Sequence, residues 1–129
     1  MTLDRTSAKP SYVVTGASTN TFGRVLTSAR DQHLIVDGPA SNGCPGEAIG
    51  PAELFLGGVA SCGVELIQVL ARQDNVPLTA INCTIKGYRD TDSPPRTDVS
   101  LFNAVDISFE LSGVSREQGQ DLVERFKRR

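Results

Sequence analysis

The second half of the chain contains two segments in which apolar and polar residues alternate. Ile81, Cys83 and Ile85 alternate with polar side chains, and the same period of two recurs in residues 105–111. Because successive side chains of a β-strand point to opposite faces of the sheet, this pattern predicts two strands with one face on the core. Turn-forming residues occupy positions 90–96 between them, so we expect an antiparallel pair.

A longer apolar segment precedes these strands and follows the period of a helix. Pro51 stands where a missing backbone N–H costs nothing, and Glu53 lies where the helix dipole favours a carboxylate. Apolar residues cover most of the circumference as far as about Gln73, which predicts a long helix buried on more than one side. Gly57 and Gly58 each cost about 1 kcal/mol relative to Ala inside a helix, so we expect a second helix or a partner chain to pack closely against them.

Shorter strands are predicted before this helix. Residues that favour β-structure at positions 12–15, 22–27 and 33–36 indicate two or three short antiparallel strands, with a turn at 16–20. Several Gly and Pro residues in positions 39–50 then have the composition of a long irregular loop.

A capping box predicts the start of a final helix. Ser115 is followed three residues later by Gln118, and an apolar stripe of Leu122, Val123 and Phe126 continues towards the last residue. The predicted order is therefore three strands, a helix, two strands and a helix, which is an α+β fold.

The composition is that of an ordinary soluble globular protein, and a length of 129 residues predicts a single domain over residues 1–129. The net charge of -2 gives no electrostatic reason to expect nucleic acid or an anionic membrane as a partner. Residues 1–11 do not resemble a signal peptide. Glycine and polar residues interrupt the apolar stretch 54–70, which argues against a membrane span. We therefore expect a cytoplasmic protein.

Candidate chemistry rests on the thiols, because the sequence lacks the Cys and His spacings of a metal site and the glycine loop of a nucleotide site. We accordingly expect no metal and no cofactor. Three cysteines, an odd number, argue against a disulfide framework and for a reducing compartment. His33 has no identifiable catalytic partner, and a solvated side chain is the simpler interpretation.

Each of the three thiols has a structural and a reactive interpretation. Cys83 lies on the apolar face of its strand, which favours a small core residue. Cys44 lies in the flexible loop, where it is either a chance surface thiol or a reactive one. Cys62 lies inside the long helix beside a polar stripe, too far from the helix N-terminus for the dipole to activate it. Composition favours a core role for Cys62, and a reactive Cys62 would need a nearby cation.

Residues 50–62, with the sequence GPAELFLGGVASC, resemble the start of the central helix in the OsmC/Ohr family. The strand end at 36–39 and the Gly-rich loop after it are also similar to that family, and the resemblance covers about residues 12–129. It implies an OsmC-like α+β fold, in which an antiparallel sheet wraps around the long central helices of an intertwined homodimer.

Many proteins of the OsmC/Ohr family are thiol-dependent peroxidases that act on organic hydroperoxides. The resemblance implies that Cys62 is the redox-active cysteine, whose thiolate attacks the terminal peroxide oxygen and becomes a sulfenic acid while an alcohol leaves. It also implies an arginine from an early strand that stabilises the thiolate, for which Arg24 is the first candidate and Arg30 the second. The implied role is oxidative stress defence, with a small hydroperoxide as substrate and an external dithiol as reductant.

The sequence departs from the family pattern at three places. Ala52 stands where the Ohr branch has the carboxylate that pairs with this arginine, and Glu53 is either that partner or an exposed first-turn carboxylate. The family's resolving cysteine, in a Cys-Pro step, and its closing hairpin would both follow Arg129, so we expect the C-terminal part of the family domain to be missing from this chain. Cys44, which precedes a proline, is the remaining substitute for the resolving cysteine.

Two other functions stay open. A non-catalytic OsmC-like protein would bind small apolar ligands at the dimer interface. A hot-dog-like acyl-thioester hydrolase also wraps a sheet around a central helix, and it needs a carboxylate at the helix N-terminus, where Glu53 is the candidate. Assays of peroxide consumption and of acyl-CoA hydrolysis distinguish the three functions.

Overall fold

The computed structural model describes residues 9–129 and has a mixed α+β architecture. Its order of elements confirms the predicted one: β1 Thr15–Ser18, β2 Arg24–Ala29, β3 Gln32–Asp37, a short 3-10 helix Ala40–Asn42, α1 Pro51–Gln73, β4 Ala80–Tyr88, β5 Ala104–Ser112 and α2 Arg116–Lys127. The chain divides into two compact units, Met1–Leu54 and Phe55–Arg129, and the single domain expected from its length stays a prediction.

The first unit contains an antiparallel sheet in the order β1-β2-β3. A two-residue turn, Arg30 and Asp31, joins β2 to β3, and Arg30 adopts a left-handed conformation with φ 55°. The length of a hairpin turn sets the register of its strands. Arg24, the first residue of β2, therefore pairs with Asp37, the last residue of β3.

The first strand lies later in the sequence than β-propensity predicts. The predicted strand covers residues 12–15, whereas pairing with β2 begins at Thr15, opposite Ser28. Tyr12, Val13 and Val14 are each at least 63% exposed and lie before the first strand of the described chain. The prediction is wrong here because β-branched and aromatic residues favour a strand only where a neighbouring strand is present to pack against.

The loop between β3 and α1 is ordered by its own hydrogen bonds. The N–H of Gly46 donates to the carbonyl of Gly38 at 3.1 Å, and the N–H of Asp37 donates to the carbonyl of Ile49 at 3.0 Å. Gly43 ends the 3-10 helix with φ 79°, a conformation that favours glycine. The loop consequently folds back on the end of β3.

The second unit packs its helices on the antiparallel pair of β4 and β5. Its core residues are at most 2% exposed and come from both helices: Ile67, Leu70, Ala71 and Leu122. The less exposed residues of β4 are the apolar ones that alternate in the sequence, which confirms this predicted strand.

The capping box predicted at the start of α2 is present. The N–H of Gln118 donates to Oγ of Ser115 at 3.1 Å, and the N–H of Ser115 donates to Oε1 of Gln118 at 3.0 Å. These two bonds satisfy two of the backbone groups that a helix N-terminus leaves without partners.

Helix α1 has the predicted bounds but less burial than predicted. Its fully buried residues lie along one side: Gly63, Ile67, Leu70 and Ala71. Phe55 and Val59 are 67% and 40% exposed. Within residues 9–129, α1 is therefore buried on one side only.

Helix α1 is also long and apolar enough, by length and composition alone, to cross a membrane, with a mean hydropathy of 1.8 over 18 residues. The core helix of a soluble protein passes the same test, so this is weak evidence. This finding does not overturn the expectation from the sequence that residues 54–70 do not span a membrane.

Close packing at a glycine of α1 occurs at Gly63, for which the sequence analysis did not predict it. A Cβ on Gly63 would lie 2.8 Å from Cζ of Phe109 and 3.3 Å from Cζ of Phe126. A Cβ on Gly57 or Gly58 would meet nothing within 4 Å in the part of the chain that the structure describes, apart from the glycine's own helix. Within residues 9–129, the close contact predicted at Gly57 and Gly58 is therefore absent.

Candidate functional site

Cys62 lies on the exposed side of α1 as a free thiol. Its neighbour Gly63 is buried against Phe109, and each residue of a helix is rotated by about 100° from the one before. Ser61 donates its hydroxyl to the carbonyl of Gly57 at 2.7 Å, so this hydroxyl is occupied within the helix. A small molecule is therefore able to reach the sulfur of Cys62 from solvent in this chain.

Cys83 has the environment of a structural thiol. It is half-buried on the apolar face of β4, and burial raises the pKa of the Cys83 thiol. Together with Ser61 it lines a groove of about 410 Å³ between α1 and β4, whose described lining does not include Cys62. Cys83 is accordingly neither readily ionised nor placed in a shared groove with Cys62.

Cys44 is half-buried rather than exposed in a flexible loop. A Cβ at Gly23 would lie 2.3 Å from the sulfur of Cys44, and a Cβ at Gly38 would lie 2.6 Å from it. Only glycine at both positions leaves room for this side chain. The surface-thiol interpretation is therefore replaced by a packed thiol, held beside the ends of β2 and β3.

Arg24 is held by two carboxylates. Its Nε donates to Oδ1 of Asp37 at 2.8 Å and its Nη2 donates to Oδ2 at 2.9 Å, which makes a bidentate pair. Its Nη2 also lies 3.4 Å from Oε1 of Glu47. The Arg24 side chain is 30% exposed, whereas the Asp37 side chain is fully buried. The first candidate cation is thus paired with Asp37 and Glu47.

The buried carboxylate of Asp37 accepts further hydrogen bonds from the loop. Its Oδ2 accepts the N–H of Glu47 at 3.1 Å and the N–H of Ala48 at 2.9 Å. The hydrogen bond from Arg24 is the main cause that holds the pKa of Asp37 well below its usual range, with these backbone N–H groups adding to it against the effect of burial. The hydrogen bond to Asp37 raises the pKa of Arg24. Both groups are therefore charged near neutral pH.

One edge of the Arg24 guanidinium is available to other ligands. Asp37 occupies the edge formed by Nε and Nη2, and Nη1 has no hydrogen-bond partner among residues 9–129. Glu47, on the outer edge, is 78% exposed, and exposed ion pairs are weak. The outer edge, Nη1 with Nη2, is therefore able to donate to an anionic oxygen or sulfur.

Glu53 caps the start of α1. Its Oε1 accepts the N–H of Gly50 at 2.9 Å, and the carboxylate is exposed to solvent. The structure thus shows Glu53 as an exposed carboxylate in the first turn of the helix, which is one of the two interpretations that the sequence allows. The ion pairs of Arg24 within the described residues are with Asp37 and Glu47, so a catalytic role for Glu53 stays a prediction.

Arg30 lies at the opposite end of β2 from Arg24, in the exposed hairpin turn. At about 3.3 Å per residue, the strand separates the two arginines by about 20 Å. His33 is also exposed, and its Nδ1 lies 2.7 Å from Oγ of Ser28 on the neighbouring strand. The described residues include no group of His, Cys, Asp and Glu that could hold a metal ion.

Neither Asp37 nor Glu47 stands out in the sequence alone. The signal for Asp37 is the register of the hairpin: once Arg30 and Asp31 are identified as a two-residue turn, counting outward places Asp37 opposite Arg24. Glu47 has no comparable signal, because its position depends on how the loop folds back on β3.

Three solved structures share this fold over most of their length. An OsmC-like protein from Mycoplasma pneumoniae is 16% identical, with a TM-score of 0.77 over 95% of this chain and 84% of that chain. An organic hydroperoxide resistance protein OsmC from Legionella pneumophila is 19% identical, with a TM-score of 0.69 over 94% and 85%. An organic hydroperoxide resistance protein from Elizabethkingia anophelis is 14% identical, with a TM-score of 0.66 over 95% and 84%. No protein-family profile and no curated protein sequence matches the chain.

Proposed function

We propose that this chain, which has the fold of the OsmC-like and organic hydroperoxide resistance proteins, is a thiol-dependent peroxidase that reduces organic hydroperoxides through Cys62. One observation carries the proposal: in this fold, the segment that resembles the OsmC/Ohr central helix is α1, and it presents Cys62 as an exposed free thiol. The other two thiols are half-buried, and the pKa of Cys83 is raised. Cys62 is therefore the thiol best suited to meet a peroxide.

The reaction needs two steps to balance. The Cys62 thiolate attacks the terminal oxygen of the hydroperoxide, so that an S–O bond forms, the O–O bond breaks, and the alkoxide takes a proton and leaves as an alcohol. The sulfur is oxidised to a sulfenic acid. An external dithiol then reduces it, which releases water, restores the thiol and leaves the dithiol as a disulfide.

Arg24 is the proposed partner of the Cys62 thiolate, with Arg30 as the second candidate. The support for Arg24 is its outer guanidinium edge, which is able to donate to an anion. Arg30 is exposed in a turn and has no ion-pair partner among residues 9–129. Glu53, which caps α1, is proposed to support the site by fixing the start of the helix that carries Cys62.

The proposed assembly is a homodimer in the cytoplasm. Phe55 and Val59 leave an apolar part of α1 exposed, and Gly57 and Gly58 leave open space beside it. Apolar helix surface of this kind is stabilised when a second chain covers it. Oxidative stress defence is the role that this activity would serve.

Peroxide consumption tests the proposed activity. Reduced protein is mixed with cumene hydroperoxide and dithiothreitol, and the remaining peroxide is measured over time. We expect turnover by the wild type and loss of turnover in Cys62→Ser, with a dimedone adduct on Cys62 when dithiothreitol is omitted. Cys44→Ser is the matched control, because it removes a different thiol, which is half-buried, and should retain turnover.

A wild-type rate no greater than that of Cys62→Ser would contradict the proposal. Acyl-CoA hydrolysis is measured on the same preparations. The alternative of a thioester hydrolase requires a hot-dog-like fold, whereas the chain has the fold of OsmC-like proteins, so we expect no hydrolysis above background.

A further inference from the structure

We propose that the connection between β4 and β5 binds a small molecule through its phosphate group, in a groove lined by Arg89 and Arg96. The groove has a volume of about 400 Å³ and lies within the second compact unit. Its described lining contains none of the three cysteines, so this inference is independent of the proposed peroxidase activity.

The connection between β4 and β5 is long and yet ordered. Residues 89–103 contain no helix or strand, and loops longer than about 12–15 residues without such elements are usually either functional or disordered. Asn103 ties the end of this loop to its first part: its Oδ1 accepts the N–H of Asp90 at 2.7 Å, and its Nδ2 donates to the carbonyl of Ser93 at 2.7 Å. These bonds favour a binding loop over a disordered linker.

Arg89 has a guanidinium that forms no ion pair within residues 9–129. Its Cζ lies over the ring of Phe102, 5.5 Å from the centroid, where a cation and an aromatic ring attract each other. The ring packs so closely on Gly87 that a Cβ there would lie 2.7 Å from Cε1 of Phe102, so only glycine leaves room for it. This contact supports the Arg89 side chain and leaves the N–H groups at the guanidinium edge for a ligand.

Arg96 contributes a second guanidinium to the groove. Its Nε donates to Oδ1 of Asp98 at 2.9 Å, and its Nη2 donates to Oδ2. Both side chains are exposed, and exposed ion pairs are weak. Nη1 of Arg96 has no hydrogen-bond partner in the described part of the chain, so this arginine is able to donate to a ligand while it remains paired with Asp98.

The donors of this groove suit a phosphate group. Guanidinium groups bind phosphate oxygens through paired N–H donors. Further donors come from three hydroxyl groups on the described lining: Thr91, Thr97 and Ser100. Two carboxylates, Asp90 and Asp98, also line the groove. Because Asp98 is paired with Arg96, Asp90 is the group that opposes an anion most directly. A phosphate dianion has more charge and more acceptor oxygens than a carboxylate, so it gains more from two arginines.

Backbone amide chemical shifts of the isotopically labelled full chain test this inference. The protein is titrated with glucose 6-phosphate at constant ionic strength and at about pH 7.5, where the phosphate group is mostly a dianion. We expect saturable shifts in residues 89–101, the same amides shifted by inorganic phosphate, and no shifts with glucose. Tighter binding of the ester would assign the site to a phosphorylated small molecule, and tighter binding of inorganic phosphate would assign it to the free ion.

Variants of the groove test which charges act on the ligand. Arg89→Gln should weaken binding about tenfold or more, because it removes charge-assisted hydrogen bonds, and Arg89→Lys should have a smaller effect. Asp90→Asn should strengthen binding, since it removes the opposing charge and keeps the oxygen that accepts the N–H of Asp92. Arg116→Gln is the matched control, because it removes an exposed arginine of α2 that does not line the groove, and its affinity should equal that of the wild type.

Three results would overturn the inference. The first is the absence of saturable shifts in residues 89–101. The second is binding that Arg89→Gln leaves unchanged or that Arg116→Gln weakens equally, which would reflect a general attraction to exposed arginines. The third is equal binding of glucose, because the phosphate group would then not be recognised. The dispersion of each spectrum reports folding, and if Arg89→Gln does not fold, Arg96→Gln replaces it with the same expected loss.

Discussion

The contact between Gly63 of α1 and Phe109 of β5 predicts that an added methyl group at residue 63 strains the core. Gly63→Ala adds one methyl group to a buried position directly after Cys62. The added Cβ would lie 2.8 Å from Cζ and 3.0 Å from Cε1 of Phe109, whereas two carbon atoms in contact are normally 3.5–4.0 Å apart. Phe109 is unable to turn aside freely, because its ring packs edge-on against Phe126 with centroids 5.5 Å apart.

Two opposing effects determine how much Gly63→Ala changes the free energy of unfolding. Replacing a helix glycine by alanine stabilises the helix by about 1 kcal/mol. Forcing an extra carbon into a packed core costs about 1–3 kcal/mol. The expected net loss of unfolding free energy in Gly63→Ala is therefore about 0–2 kcal/mol, and the packing part alone is about 1–3 kcal/mol.

A double-mutant cycle isolates the packing part. Phe109→Leu removes the ring atoms that clash, so Gly63→Ala in that background should be stabilising, and the coupling energy should be about 1–3 kcal/mol. Urea unfolding of the four proteins at one protein concentration measures the free energies of unfolding, provided that these free energies fall with urea concentration at the same slope in all four proteins. A Gly63→Ala protein about 1 kcal/mol more stable than the wild type would refute the reasoning, because only an open position gives that result.

Three further outcomes are expected. Because Arg24 holds the pKa of Asp37 below its usual range, the pair stabilises the fold above pH about 4. The stability difference between the wild type and Asp37→Asn should therefore shrink as pH falls below that value in urea unfolding, and a constant difference would contradict it. Gly58→Leu fills the open side of α1 and should raise the dissociation constant of the proposed dimer in sedimentation velocity, whereas unchanged association would place the interface elsewhere. Ser115→Ala removes the acceptor for the N–H of Gln118 and should lower the stability of the fold by about 1 kcal/mol in thermal unfolding, whereas Ser115→Asp keeps an acceptor at this position and should lose much less.

Several elements could be predicted because their signals are local. The period of two in β4, the proline at the start of α1 and the capping pair Ser115 and Gln118 each depend on residues a few positions apart. Such patterns reflect the geometry of one strand, one helix turn or one cap, and they do not require knowledge of the neighbours. These predictions agree with the structure.

The candidate site was predictable only in part. Arg24 and Cys62 were named from the resemblance to a family, and the structure describes one as a paired cation and the other as an exposed thiol. The sequence pattern does not identify the partner of Arg24, which depends on hairpin register, or the packing of Cys44, which depends on two glycines that are distant in sequence. The first strand is predicted too early for a related reason: the residues at 12–14 favour β-structure but lie before the pairing with β2, which begins at Thr15.

The order of the helices and strands, the bounds of α1 and the cap of α2 follow from local sequence patterns, because short-range periodicity and hydrogen-bonding side chains dictate them. Three other features depend on how the chain folds: which carboxylate holds Arg24, which glycine of α1 is closely packed and which thiol is exposed. Those outcomes depend on atoms brought together across many residues, and the free energy of such contacts is set by packing and burial that no local pattern records.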